Sequence, residues 1–173
     1  LFTNPDKPKG RKGELTPPPT KVLAEKHGIP VYQFEKIRRP EGVEALRAFA
    51  PDLMVTAAFG QILSAENLSI PKYGCINVHG SLLPKYRGAA PIQWSIIEGE
   101  KITGVTTMLT DVGPDTGDML LRREVEIGEN ETAGELFDRL AAIGAELLKE
   151  TIECLEKGEL KPIKQDEAAA TKC

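Results

Sequence analysis

A chain of 173 residues, 40% hydrophobic and 28% charged, is long enough for one domain with a real core and has an ordinary globular composition. Its formal net charge of −4 gives no overall pull toward nucleic acid, so any such binding must come from a local patch. No apolar run approaches the roughly 18 residues of a membrane span, no signal peptide is visible, and Cys75, Cys154 and Cys173 are too scattered for a disulfide framework, which favours free thiols in a reducing compartment and makes the cytoplasm the expected location.

Leu1-Phe2-Thr3 reads as the tail of a strand opening into a loop, so the chain is expected to be a piece of something longer. Residues 4–19 read as a long polar loop with five prolines and the cations Lys7, Lys9, Arg11 and Lys12. A helix is predicted from Pro19-Thr20 to a cap at Gly28, where His27 complements the helix dipole and carries no chemistry. Ile29 to Phe34 reads as a strand and Glu41 to Phe49 as a short helix. Leu53 to Ala58 is a continuous apolar run, the pattern of a parallel strand covered on both faces. Phe59-Gly60-Gln61-Ile62-Leu63 follows as a loop, then a short helix near Ser64–Leu68.

Cys75 to His79 reads as a short strand ending at Gly80-Ser81, with Asn77 and His79 on one face because strand side chains alternate. A loop over Ser81–Gly88 leads to a helix over Ala90–Glu98. Two strands, Thr103–Thr110 and Met119–Glu126, flank an Asp-rich loop. Thr132 and Glu135 form a capping box. Leu136, Leu140, Ile143, Leu147, Leu148, Ile152 and Leu155 then make one apolar helical stripe. Gln165 to Cys173 has no core pattern and reads as a linker or terminus. Alternating strands and helices argue an α/β fold, its sheet mainly parallel in the first half. The loops at Phe59–Leu63 and His79–Pro84 leave the carboxyl ends of strands, where such sheets place their sites.

Neither GxGxxG nor GxxxxGK[ST] occurs, so dinucleotide and P-loop readings have no foothold. No cluster has metal-ligand spacing, and Asp111, Asp115 and Asp118 lack the glycine and terminal Glu of a calcium loop. The positive constellation is an amide, an imidazole and one carboxylate of the Asp111/Asp115/Asp118 set. Such a trio can run acyl transfer to an amine without a covalent intermediate. Asn77 and protonated His79 stabilise the developing oxyanion, while the carboxylate accepts the amine's proton directly or through water.

Asn77-Val78-His79-Gly80-Ser81-Leu82-Leu83-Pro84, followed 38 positions after Asn77 by Asp115-Thr116-Gly117-Asp118, resembles the 10-formyltetrahydrofolate-dependent formyltransferases. The resemblance implies a Rossmann-like, mainly parallel open sheet flanked by helices, and 10-formyltetrahydrofolate as co-substrate with no metal. It implies Asn77, His79 and Asp115 as the catalytic trio and Ser81, Leu82, Leu83 and Pro84 as the folate-contacting loop. Phe59, Gly60, Gln61, Ile62 and Leu63, together with Asp111, Val112 and Gly113 of the Thr110–Pro114 stretch, would line the pterin pocket.

The continuation Lys85-Tyr86-Arg87-Gly88-Ala89-Ala90-Pro91-Ile92-Gln93 is similar to the members that formylate initiator methionyl-tRNA. The loop from Asn4 to Val22 resembles the insertion those members use to grip the acceptor stem. Lys7, Lys9, Arg11 and Lys12 are therefore expected to contact tRNA phosphates in a salt-sensitive way, with Arg87 as a further candidate. Transfer to a sugar nucleotide or glycinamide ribonucleotide, or release of formate by a hydrolase or binding module, are the rival readings. Residues 1–160 are expected to be a catalytic domain lacking its first strand and helix, and 161–173 the start of a linker to a C-terminal β-barrel domain. No obligate protein partner is implied.

Overall fold

The first fifty residues are organised by a parallel strand pair and a nest of aromatic rings. In the computed structural model, which describes residues 1–10 and 13–173, β1 (Phe2–Thr3) pairs in parallel with β4 (Tyr32–Gln33). Two strand residues, not the six expected over Ile29–Phe34, make this pairing, because β1 offers only two partners. Around the pair, the rings of Phe2, Tyr32, Phe34 and Phe49 contact one another at centroid separations of 5.0–6.1 Å. Between β1 and β4 lie β2 (Lys7–Lys9), β3 (Glu14–Thr16) and helix α1 (Pro19–Lys26). The stretch predicted as a long polar loop thus carries an antiparallel strand pair, with Pro8 opposite Leu15. A proline is tolerated there because a two-stranded ribbon has outer edges that need no donor. Helix α1 starts on Pro19, whose missing N–H is no loss in a first turn. It stops before Gly28, which takes φ +66°. Helix α2 (Pro40–Phe49) buries Gly42, Val43 and Leu46. These elements and residues Phe59–Asn67, within which helix α3 (Ala65–Leu68) begins, form one of the chain's two units.

The second unit comprises Pro51–Ala58 and Leu68–Cys173. Its sheet runs in the order β5 (Met54–Ala57), β6 (Cys75–His79), β7 (Ile102–Leu109), β8 (Met119–Glu126). β5 and β6 are parallel, whereas β6, β7 and β8 are successively antiparallel. Parallel pairing therefore falls in the first half of the chain, as its βαβ pattern predicts. The apolar run at β5 does not behave as a strand covered on both faces: Val55 and Ala57 are exposed and Met54 and Thr56 half-buried. An unbroken run of apolar residues does not report which face is packed.

Helix α4 (Pro91–Ile97) precedes β7, and helix α5 (Ala133–Glu156) closes the core. The predicted capping box is formed: the Glu135 N–H donates to the Thr132 hydroxyl and the Thr132 N–H to the Glu135 carboxylate. Leu136, Leu140 and Leu147 pack with Ile92, Val105 and Val125, and Val78 joins them from β6. Each such fully buried side chain contributes about 1.5–3 kcal/mol. One polar link crosses this apolar layer, between the hydroxyls of Thr107 on β7 and Thr151 on α5 at 2.8 Å.

The stretch after α5, which has no core pattern in its sequence, is nevertheless tied down. Ile163 makes an antiparallel bridge to Met119 and Lys172 a parallel one to Arg87. Gln165 is buried. No helix is long and apolar enough to cross a membrane among the described residues.

Candidate active site

Strand alternation sets the site. Val78 points into the core under α5, so Asn77 and His79 share the opposite face of β6. Asn77 stands opposite Thr56 on β5, whose hydroxyl donates to its Oδ1 at 2.9 Å. That contact fixes the amide so that its oxygen is taken and its Nδ2 hydrogens serve any further acceptor. His79 is buried, and its Nε2 lies 2.8 Å from the Tyr86 carbonyl. A carbonyl only accepts, so Nε2 is the nitrogen carrying a proton. Nδ1 is thereby turned to the Asp115 carboxylate, 3.7 Å from Oδ2. At that separation the two are an ion pair when the ring is protonated rather than a hydrogen bond. The amide, imidazole and carboxylate expected to act together are therefore brought together.

Asp115 reaches this place by an unusual backbone, φ +54° in a non-glycine residue, a conformation that surroundings must enforce. Its Oδ2 accepts the Gly88 N–H at 2.8 Å. Asp111 is used differently. Its Oδ1 accepts from the Gly113 N–H and the Thr116 hydroxyl, which folds the Asp-rich loop. Gly117 is required there, since a Cβ would collide with the Leu109 carbonyl. Geometry alone thus separates Asp115 from Asp111, which spacing could not do. Val112 is 75% exposed at the loop's tip, and Gly113 is half-buried.

The Ser81–Pro84 loop is built from beneath by Thr106 of β7. The Thr106 hydroxyl donates to the Ser81 carbonyl at 2.7 Å and accepts the Leu83 N–H at 3.1 Å. Ser81 is fully buried and donates to the Lys85 carbonyl. Leu83 is also fully buried, against Met108 and Met119. Of the four residues expected to meet a folate, Leu82 and Pro84 alone keep partly open side chains, so Ser81 and Leu83 shape the loop rather than offer side chains. A depression of about 400 Å³ is bordered by Leu82, Pro84, Tyr86, Glu100 and Arg122, and none of the trio lines it. Burial and the hydrogen bond to Glu100 push the Tyr86 phenol up to about 12.

The other unit holds Phe59–Leu63. There the Gln61 side chain joins three segments, donating to Asn4 Oδ1 and the Phe34 carbonyl and accepting the Ile37 N–H, each at 2.7 Å. The Phe59 carbonyl accepts from Asn4. Gly60 takes φ +70° and Ile62 is exposed, while Leu63 is half-buried.

Lys7 and Lys9 are exposed on β2, as a phosphate-contacting pair needs to be, while Arg11 and Lys12 lie outside the described residues. Arg87 is directed elsewhere. It is 5% exposed, its guanidinium is bidentate on Glu167 at 2.8 and 3.0 Å, and its Nε donates to Gln165. The Arg87 guanidinium, expected to meet nucleic acid, is thus engaged by Glu167, whose hydrogen bonds draw it further toward the charged form. Gln165, Thr106 and Gly88 are structural participants that no motif announced, since their partners lie 23–78 residues away in sequence. Among the described residues no group of three His, Cys, Asp or Glu could hold a metal ion.

A family model described as formyl transferase matches residues 1–152. The methionyl-tRNA formyltransferase of Citrifermentans bemidjiense is 61% identical over 168 residues, 97% of this chain and 53% of that protein. The chain spans about half the length of the curated relatives it matches. Among solved structures, the phosphoribosylglycinamide formyltransferase of Bacillus halodurans superposes with a TM-score of 0.71 at 29% identity, covering 80% of this chain and 76% of that one. A formyltransferase from Anoxybacillus kamchatkensis, in complex with UDP-4,6-dideoxy-4-formamido-L-AltNAc and tetrahydrofolate, gives 0.72 at 26% identity, covering 90% and 82%. The α/β fold is the Rossmann-like one of these enzymes, and the chain belongs to the formyl transferase family.

Proposed function

We propose that this chain is the catalytic part of an enzyme that moves the formyl group of 10-formyltetrahydrofolate to the α-amino group of initiator methionyl-tRNA, in the cytoplasm. The observation that carries the reading is the pairing of His79 Nδ1 with Asp115 Oδ2 at 3.7 Å beside the anchored Asn77 amide. As an amine attacks a formyl carbon, negative charge builds on the formyl oxygen, and the Asn77 Nδ2 hydrogens with the protonated His79 ring can neutralise it. The attacking nitrogen becomes positive and must lose a proton, which the Asp115 carboxylate accepts directly or through a water. Collapse of the tetrahedral adduct then breaks the bond from the formyl carbon to the folate nitrogen, which takes up that proton and leaves as tetrahydrofolate.

The folate donor is supported by family membership and by the tetrahydrofolate complex of the Anoxybacillus relative. The tRNA acceptor is supported by 61% identity to a methionyl-tRNA formyltransferase, against 26–29% for the sugar and ribonucleotide enzymes compared above, and by the exposed lysines of β2. Residues 161–173 are read as leading toward a further domain outside this sequence. The test is an acceptor panel with the full-length protein and 10-formyltetrahydrofolate: charged initiator tRNA, glycinamide ribonucleotide, an amino-sugar nucleotide, and none. Formylation of methionyl-tRNA is expected. Transfer only to a small amine, or formate release without an acceptor, overturns the reading.

A further inference from the structure

Three consecutive residues, Tyr86, Arg87 and Gly88, each hold one part of the His79–Asp115 pair. The Tyr86 carbonyl takes His79 Nε2, and the Gly88 N–H takes Asp115 Oδ2. Arg87 acts at one remove. Its Nε donates to Gln165 Oε1 at 2.9 Å, and Gln165 Nε2 then donates to the carbonyls of Asp115 at 2.9 Å and Gly117 at 2.8 Å. Asp115 is thus gripped twice, by its carboxylate from Gly88 and by its main chain from Gln165.

The triplet is itself braced by Thr171 and Cys173. The Tyr86 N–H donates to the Thr171 hydroxyl, the Arg87 N–H to the Thr171 carbonyl, and the Cys173 N–H to the Arg87 carbonyl, all at 2.8 Å. Gly88 has φ +122°, and a Cβ there would collide with the Cys173 carbonyl. Glu167 completes the brace on the Arg87 guanidinium.

We propose that Gln165 is a positioning residue for Asp115, and that the segment Ile163–Cys173 is a strap setting the spacing of the His79–Asp115 pair. The inference rests on the catalytic reading above. A backbone at φ +54° relaxes toward a commoner conformation unless held, and Gln165 supplies the only side-chain donor to the Asp115 carbonyl among the described residues. Its two amide functions are used in full, oxygen to Arg87 and nitrogen to both carbonyls. Gln165→Glu keeps the size and the Arg87 contact but faces two carbonyl oxygens with a third acceptor. Gln165→Leu removes every bond.

In the full-length protein, both variants are expected to lower kcat by about 10- to 100-fold, the scale of an ångström's displacement of a reacting group, with KM for folate and tRNA within about threefold of wild type. In an Asp115→Asn background, Gln165→Leu is expected to change residual kcat by less than about twofold, because a residue acting only through Asp115 has nothing left to act on. Amide hydrogen exchange supplies a readout free of activity: the Gly88 N–H, bonded to the Asp115 carboxylate, is expected to exchange about tenfold faster in Gln165→Leu while Leu83 is unchanged. An equal kcat loss in both backgrounds overturns the proposal, as does unchanged Gly88 exchange. If the wild type transfers no formyl group to any acceptor, the catalytic reading fails and the Gly88 exchange still decides the positioning.

Discussion

Thr106→Val isolates the support of the Ser81–Pro84 loop. Valine is nearly isosteric with threonine and keeps the β-branched shape that suits a strand, so the substitution removes a hydroxyl and little else. That hydroxyl is fully buried and serves two backbone groups, the Ser81 carbonyl at 2.7 Å and the Leu83 N–H at 3.1 Å. A buried polar group deprived of its partner costs about 1–3 kcal/mol, and two of them give about 2–6 kcal/mol. For a domain whose whole stability is about 5–15 kcal/mol, that is a large share. With a urea m-value near 2 kcal/mol/M, the unfolding midpoint falls by about 1–3 M. Urea unfolding followed by circular dichroism measures it, and exchange of the Leu83 amide locates it. Thr106→Ser keeps the hydroxyl and loses one methyl, which costs about 1 kcal/mol, so it should lie nearer wild type. A Thr106→Val midpoint within about 0.3 M of wild type, with Leu83 equally protected, refutes the bridging role.

Asp115→Asn is expected to lower kcat by about 10²–10⁴-fold while folate binding, followed by calorimetry, changes little, because asparagine Oδ1 can still accept the Gly88 N–H. Near-normal turnover refutes the proton-acceptor role. Lys7→Ala with Lys9→Ala should raise KM for tRNA, leave that for folate alone and reduce the salt slope by about one per lysine; Arg11→Ala should also raise KM for tRNA. A salt dependence equal to wild type in the double variant removes β2 from the acceptor site. On acidification, Glu167 is held below the usual carboxylate range by its hydrogen bonds from Arg87, and Glu100 by Lys85 and then Tyr86. Depressed folded-state values mean that these contributions are complete above about pH 4.5 and vanish as pH falls through the lowered values. Glu167→Gln should flatten that acid limb of the stability profile, and superimposable profiles would show the pair to be energetically silent.

The sequence is legible where local pattern and tertiary partner agree. β6 and β8 fall at Cys75–His79 and Met119–Glu126 as predicted, and the Thr132/Glu135 box starts α5, because a capping box and an alternating strand carry their own signal. Asn77 and His79 share a face for the same reason. What is not legible depends on partners far along the chain. Nothing near Lys7 announces that it pairs with Thr16, and nothing near Arg87 announces that Glu167 and Gln165 will claim its guanidinium. The Gln165–Cys173 stretch has no periodic apolar residues, yet it is held by backbone and amide hydrogen bonds, which leave no trace in a hydrophobic pattern.

Thr106 and Thr107 stand side by side on β7 with their hydroxyls on opposite faces, one serving the Ser81–Leu83 loop and the other Thr151 of α5. Each also lies where strand pairing must be chosen, just before the register shift between Thr107 and Met108 opposite β8. Sliding β7 by one residue would put one threonine in the other's place and Val105 or Met108 in the place left over. One set of partners, the Ser81 carbonyl with the Leu83 N–H or the Thr151 hydroxyl, would then lose its hydroxyl. An apolar strand of similar shape could tolerate the slip with modest loss. The threonine pair therefore favours one register of β7, the only one in which both hydroxyls meet their own partners.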